Sequence, residues 1–241
     1  MTALLELDVT EALRLLRAPD KKPLSMTAYL VACLGRAVAH NPEVHGYRNW
    51  RGRIVVHSFV DTTVLVEVPT VDRPIAFPRV LRDTQSRSVA DLTAEIEAAK
   101  REPFAGAPGQ LLHRWGRLVA AIPGASRLMY ATMSRSVRIR QRIGTVGVTN
   151  VGMFGGGGGF GMSPPTVMSL EMVVGGISRR PRVVDDRIEA REIIDVTLAI
   201  DHVVVDGAPA ARFIADLRDL VESAAVLTSD APRLQQGESS F

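Results

Sequence analysis

The sequence predicts one domain of the α/β or α+β class, a sheet whose strands alternate with helices along the chain, on three observations. Strand composition, β-branched and alternating, recurs in LLELDV (4–9), RIVVHSFVDTTVLVEVP (53–69), GTVGVTNVGMF (144–154) and RPRVVDDRIEAREIIDVTLAIDH (180–202). Amphipathic helical runs fall between these stretches rather than after them all. The 241 residues are 46% hydrophobic and 23% charged, which is ample for a packed core.

In order, the opening strand gives way to a helix EALRLLR, with Thr10 as the expected N-cap. KKPLSMTAYLVACLGRAVAHNPEV reads as a second helix, capped by Ser25 or Thr27 and ended by Asn41-Pro42. The 53–69 stretch is long enough for two strands, and SRSVADLTAEIEAAKRE is an amphipathic helix with Ser88 or Asp91 at its start. Residues 104–143 read as one or two helices broken near Pro123-Gly124. Strands resume at 144, the glycines 155–159 read as a mobile surface loop, and PPTVMSLEMVVGGIS continues the sheet. Asp185-Asp186-Arg187 marks a hairpin turn whose second arm runs into His202. A closing helix is expected to begin near Pro209, and 229–241 reads as a polar tail.

Several classes are excluded on composition. A net charge of +3 gives no broad basic field, so no nucleic-acid partner is expected. Cys33 is the single cysteine, expected to pack as a small core residue, so neither a disulfide framework nor a cysteine-rich zinc site can form. His40, His45, His57 and His113 lack metal-ligand spacing, and no metal is expected. The first residues carry acids where a signal peptide has a basic region, and no apolar run reaches the roughly 20 residues of a transmembrane helix. A cytoplasmic protein is the expectation. The glycine run lacks the Lys-Ser/Thr of a phosphate loop.

One stretch carries chemistry. In DHVVVDGAPAARF (201–213), His202 lies between an apolar strand and a glycine that precedes a helix. It reads either as a structural histidine capping the strand or as a general base at its rim, since an imidazole titrating near neutrality can take a proton from a thiol or hydroxyl. Asp206 is placed to fix the loop or the ring by a charge-assisted hydrogen bond. Thr149, in VGVTN, is by itself an ordinary strand residue.

These motifs together resemble the catalytic domain of the 2-oxoacid dehydrogenase acyltransferases, the dihydrolipoyl acyltransferases. DHVVVDG is similar to the family's D-H-R-x-x-D-G string, and GTVGVTNVGMFG to its G-T-F-T-I-S-N-L-G signature. PPTVMSLEMVVGGIS and the hairpin into His202 continue the match, while LELDVTEALRLLR and LSMTAYLVACLGRAVAHNPEVHG resemble the family's early elements. The resemblance is strong from 144 to 222 and weak through 51–103. It implies a chloramphenicol acetyltransferase-like fold, a two-layer sandwich of mixed sheet and helices, assembled as a homotrimer or a higher multiple with active sites at subunit interfaces. It further implies acyl-CoA as substrate, His202 as base, Thr149 of a neighbouring chain as the hydroxyl donor to an oxyanion, and Asp206 as structural support. A catalytic domain over 1–228, with 104–143 inserted, is then expected.

Three departures qualify the match. Val203 replaces the family's arginine, so that residue's donors are absent or come from elsewhere; chloramphenicol acetyltransferases lack it too. Neither lipoyl domain nor Ala/Pro-rich linker is found in these residues, so a lipoyl arm or carrier protein, if one is used, is expected in trans; otherwise the acceptor is a different thiol, amine or alcohol. The 104–143 insertion, with Leu111, Leu112, Trp115, Leu118 and Val119 apolar and Arg135, Arg138, Arg140 and Arg142 basic, reads as a helix pair with a solvated basic face or as a platform for an anionic partner. The alternatives to an acyltransferase of this kind are a non-catalytic scaffold subunit that docks a partner through 104–143, and an enzyme of another branch of the fold that takes carrier-bound acyl groups.

Overall fold

The computed structural model describes residues 1–19, 22–68, 75–101, 124–152, 157–163 and 166–228. The strands are β1 (Thr2–Asp8), β2 (Tyr47–Arg48), β3 (Ile54–Val55), β4 (Thr62–Val68), β5 (Ile75–Leu81), β6 (Val146–Asn150), β7 (Leu170–Val184) and β8 (Arg187–Ile200). The helices are α1 (Thr10–Leu16), α2 (Met26–His40), α3 (Val89–Arg101), α4 (Ala125–Arg135), α5 (Val137–Ile143) and α6 (Gly207–Glu222). Six strands form one mixed sheet in the order β1-β8-β7-β6-β4-β5, with β6 parallel to both β4 and β7; β2 and β3 make a separate small hairpin. The mixed sheet with interleaved helices is the predicted class.

Alternation assigns the two faces of the sheet. Leu5, Leu7, Val64, Val66, Val146, Val148, Leu170, Met172, Val174, Ile194, Val196 and Leu198 enter the core beneath the helices. Their neighbours along each strand point the other way, and on the central strands these are Thr149, Glu171, Val173, Asp195 and Thr197. Over the core face lies α2, ten of whose residues are buried, as befits a helix apolar on all sides. Ser25 caps it, accepting from Ala28 N at 3.4 Å. Its Tyr29 hydroxyl donates to Val221 O of α6 at 2.7 Å, and Cys33 is fully buried as expected.

Four local expectations are corrected or refined. Thr10 is not the cap of α1 but its first residue: Asp8 Oδ1 accepts from Thr10 N at 2.9 Å, while the Thr10 hydroxyl accepts from Glu192 N across the sheet. The closing helix begins at Gly207, two residues before Pro209. The break within the described part of the insertion is at Ser136, between α4 and α5; Pro123, His113, Trp115 and the leucines around them lie outside the described residues. Asp185 and Asp186 both take positive φ (47° and 61°), the two-residue turn that matches strand twist, so β7 and β8 form one long hairpin.

The glycine run was expected to be mobile, and its described part is anchored. Gly159 N donates to Asp195 Oδ2 at 2.6 Å, and Gly176 N donates to Gly159 O at 3.3 Å. The backbone of 157–159 thus lies directly on β7 at its bulge between Val174 and Ile177. A Cβ at Gly175 would overlap Gly159 O, and one at Gly158 would sit 2.7–3.1 Å from the polar atoms of Arg180, Ser178 and Asp195. Glycine is required here because backbone meets backbone.

Candidate functional site

His202 sits in a turn immediately after β8, exposed to solvent. The turn is organised by Asp201. Asp201 N donates to Ser169 O at 2.8 Å, its Oδ1 accepts from Val203 N at 3.0 Å, and its carbonyl accepts from Val204 N and Val205 N at 3.1 Å. The carboxylate bonding backbone two residues on is the Asx-turn geometry that aspartate favours. Val205 is buried and pins the far side, and Val204 lies against Gly46, just before the small hairpin. Asp206 is exposed at the N-cap of α6, and no cap hydrogen bond forms from its side chain. The loop-holding carboxylate of the isolated chain is therefore Asp201.

Thr149 lies on β6 opposite Val173 of β7, which in turn faces Thr197 of β8. From Thr197 to Asp201, whose amide still pairs with Ser169 O, is four residues or roughly 13 Å of strand, with His202 in the turn beyond, and β6 and β8 are two strand spacings apart, roughly 10 Å. One chain therefore leaves Thr149 and His202 some 15–20 Å apart on this estimate. The structure does not bring them together within a subunit.

Beside Thr149 is a carboxyl that sequence reasoning missed. Glu171, buried, accepts hydrogen bonds from the hydroxyls of Ser163, Thr166 and Thr149. Burial raises its pKa above the usual carboxylate value, and the three hydroxyls oppose that rise. The only sequence signal is a lone acid in the apolar run MSLEMVV.

A second missed group is joined to the His202 turn through Ser169. His45, Tyr47, His57 and Arg140 are each less than 9% exposed and form one cluster. The Arg140 Cζ stands 4.7 Å from the Tyr47 ring centroid, Tyr47 stacks on His57 at 5.7 Å, and His57 meets His45 edge-on at 6.5 Å. Arg140 is the correction to the basic run: it is fully buried, not on a solvated face. Its Nη1 donates to Val167 O and reaches Met168 Sδ at 3.4 Å, and its Nη2 donates to Ser169 Oγ at 3.3 Å. Burial lowers its pKa to about 10, so it remains a cation at neutral pH. Arg135 stands over Trp50, and Arg138 and Arg142 are exposed.

What places Arg140 is the pinned end of α5. Arg82 donates to Gln141 O at 2.5 Å and Arg142 O at 3.1 Å, and the Thr63 hydroxyl donates to Ile143 O. A cation on the last carbonyls of a helix is favoured electrostatically. His45 Nε2 must donate to His57 O (3.1 Å), so the neutral ring leaves Nδ1 a bare acceptor. Burial pushes the His45 pKa down to about 4 and lowers that of His57 as well.

Among the described residues no group of three or more His, Cys, Asp or Glu is arranged to hold a metal ion, and no helix is long and apolar enough to cross a membrane.

Comparison with known proteins accords with this fold. Residues 130–228 match the model of the 2-oxoacid dehydrogenases acyltransferase (catalytic domain) family. The chain is 25% identical over 223 residues to the dihydrolipoyllysine-residue acetyltransferase component of the pyruvate dehydrogenase complex of Rickettsia bellii, covering 92% of this chain and 45% of that one. It spans less than half the length of this and the other full-length relatives it matches. Among solved structures it is similar to the Azotobacter vinelandii dihydrolipoamide acetyltransferase, in which a serine, a histidine and an asparagine have been investigated for their catalytic roles. That match has a TM-score of 0.63 at 19% identity, over 94% of this chain and 83% of the other. It is also similar to a chloramphenicol acetyltransferase, with a TM-score of 0.54 at 12% identity over 92% and 87% of the two chains.

Proposed function

We propose that this chain, which belongs to the 2-oxoacid dehydrogenase acyltransferase family and has the chloramphenicol acetyltransferase-like fold, moves an acyl group between coenzyme A and an acceptor thiol of the dihydrolipoyl type or another nucleophile, at a site shared by two copies of the chain. The separation of Thr149 and His202 carries this reading. A base exposed on the sheet rim and a hydroxyl two strands away can cooperate only across an interface. A homotrimer closes such a head-to-tail contact into a ring.

His202 takes the proton of the attacking thiol, and the thiolate adds to the carbonyl carbon of the acyl thioester. The oxyanion that develops accepts a hydrogen bond from Thr149 of the neighbouring chain, an interaction stronger in the transition state than in the ground state. Collapse of the tetrahedral intermediate expels the other thiolate, which recovers the proton from the His202 imidazolium. Glu171 competes for the Thr149 hydroxyl, and its raised pKa makes it a weaker competitor whenever it holds a proton. Asp206, four residues after His202, supports the loop in the assembled site through its exposed carboxylate. No step needs a metal or redox cofactor.

Subunit mixing tests the shared site. His202→Ala and Thr149→Ala variants are each expected to lose transfer from acyl-CoA to dihydrolipoamide, the second by about 10²–10³-fold. Unfolded together and reassembled at equal amounts, they restore His202 and Thr149 to about one site in four. No recovery from an assembled mixture, or a His202→Ala protein that retains near wild-type transfer, refutes the reading.

The scaffold alternative has one observation in its favour. On α4 Leu128 is 66% exposed, with Met129 and Tyr130 beside it, an apolar patch suited to a docked partner. Deleting 104–143 would remove buried Arg140, so Leu128→Glu with Met129→Glu is the cleaner probe. Lost partner capture with intact transfer supports docking there, and intact capture refutes it.

A further inference from the structure

We propose that Arg140 is the positioning residue of the His202 turn: its buried guanidinium ties α5 to residues 167–169, the segment from which that turn is suspended. The role rests on His202 being the base assigned above. The chain of contacts is continuous. Arg140 Nη1 holds Val167 O, Nη2 holds Ser169 Oγ at 3.3 Å, Ser169 O accepts from Asp201 N at 2.8 Å, and Asp201 bonds the backbone on the far side of His202 at three points. Charge acts in the same direction, because the carboxylate of Asp201 favours the cationic form of Arg140. Val203 is 70% exposed, and the buried cation tied to the segment that holds Asp201 comes from a helix of the insertion.

The competing interpretation of a buried cation without a carboxylate in hydrogen-bond contact is an anion receptor. The donor set argues against it. The unpartnered buried atoms of the cluster are Arg140 Nε, Tyr47 Oη, His45 Nδ1 and His57 Nε2. His45 Nδ1 is an acceptor lone pair, because Nε2 carries the proton that binds His57 O, and its depressed pKa keeps the ring neutral. An anion would face that lone pair. Such a mixture of donor, acceptor and hydroxyl suits bridging water.

The test uses Arg140→Met, Arg140→Lys and Ser169→Ala in the full chain, each checked for folding by circular dichroism. Methionine removes the cation but keeps an apolar stem, and replacing a buried charge by an apolar side chain is commonly tolerated. Two readouts follow His202 itself: the position of its Cε1–Hε1 NMR resonance, and its rate of modification by diethyl pyrocarbonate resolved by mass spectrometry. A third is acyl transfer, with kcat and KM separated.

In Arg140→Met the resonance is expected to move or split, the modification rate to change at least threefold, and kcat to fall at least tenfold with KM for acyl-CoA within twofold. Arg140→Lys is expected not to rescue, because one ammonium cannot span Val167 O and Ser169 Oγ together. Ser169→Ala, which removes one link, is expected to shift the resonance in the same direction by less. A folded Arg140→Met protein with wild-type His202 resonance and reactivity overturns the proposal. If Arg140→Met does not fold, Ser169→Ala decides by the same measurements, and an unchanged His202 overturns it. A perturbed His202 in a protein whose wild type transfers no acyl group leaves the positioning intact and refutes the functional reading instead.

Discussion

Acid should weaken this fold through His45, and the size of the effect follows from its burial. The ring is 1% exposed, its Nε2–H is committed to His57 O, and burial pushes its pKa from 6.5 down to about 4. Within that value the hydrogen bond to the His57 backbone opposes burial, while the His57 ring and the Arg140 guanidinium that face it act with burial. In the unfolded chain the ring takes a proton near pH 6.5, whereas the folded protein refuses it until about pH 4. Between those values the unfolded state therefore binds more protons, and stability falls as pH falls. Linkage gives a loss on the order of 1 kcal/mol at pH 5.5 and on the order of 2 kcal/mol at pH 4.5 from this one side chain. His45→Gln isolates it, because the amide nitrogen can still donate to His57 O and does not titrate. Urea denaturation of both proteins at pH 7.0, 5.5 and 4.5 cancels the carboxylates that titrate over the same range. The difference in stability between wild type and variant should shift in favour of the variant by those amounts. Two curves that stay parallel from pH 7.0 to 4.5 would show that His45 is reached by water and protons in the folded state, and the argument from burial would fail.

Three further outcomes are expected. Glu171 has its carboxyl raised by burial, so the folded state binds that proton more tightly and stability is lost as pH rises through the raised value; Glu171→Gln should gain on wild type from pH 4.5 to 7, and denaturation curves with equal pH slopes would contradict this. Gly175→Ala puts a Cβ into Gly159 O and 2.9 Å from Asp195 O, both backbone, and should cost about 2–3 kcal/mol in urea, with an unchanged midpoint showing that 157–159 does not rest there. The Cys33 thiol, fully buried and pushed up to about 12, should react with a thiol reagent only at the rate of unfolding, and rapid labelling of native protein would place it at the surface.

The strands that carry buried alternation were legible, and the ones that escaped notice are those where the pattern fails for a physical reason. β5 contains Pro78, which cannot donate to a ladder and so argues against a strand, yet β5 is the sheet edge, where one side needs no partner. β2 has two residues and no period to detect. The β7–β8 hairpin was visible because Asp185 and Asp186 are residues that tolerate positive φ. Its length was not visible, because the glycines at the bulge interrupt the apolar pattern of β7 while the strand continues through them. The division of α4 from α5 at Ser136 escaped because neither glycine nor proline marks it.

The site divides along a different line, between what a residue is and what lies against it. His202, Thr149 and Asp206 stand in local strings, so their candidacy could be read from a few neighbours. Arg140 could not be read that way. In VRIRQRI it looks like its companions Arg138 and Arg142, which are exposed, and only the pinning of α5 by Arg82 and Thr63 turns the middle arginine of that alternation inward. Glu171 and the glycine run follow the same logic, since one acid in an apolar strand has no meaning until Ser163, Thr166 and Thr149 converge on it, and five glycines look mobile until Asp195 accepts one of their amides. In each case the decisive partner comes from another element, and the contact is polar and buried, where a lone side chain would be costly. Hydrophobic periodicity reports which face of an element is covered but not which polar groups meet beneath the cover. Val203 reads in the sequence as a missing arginine, while the folded chain ties a different arginine, Arg140, to the segment that holds the same turn.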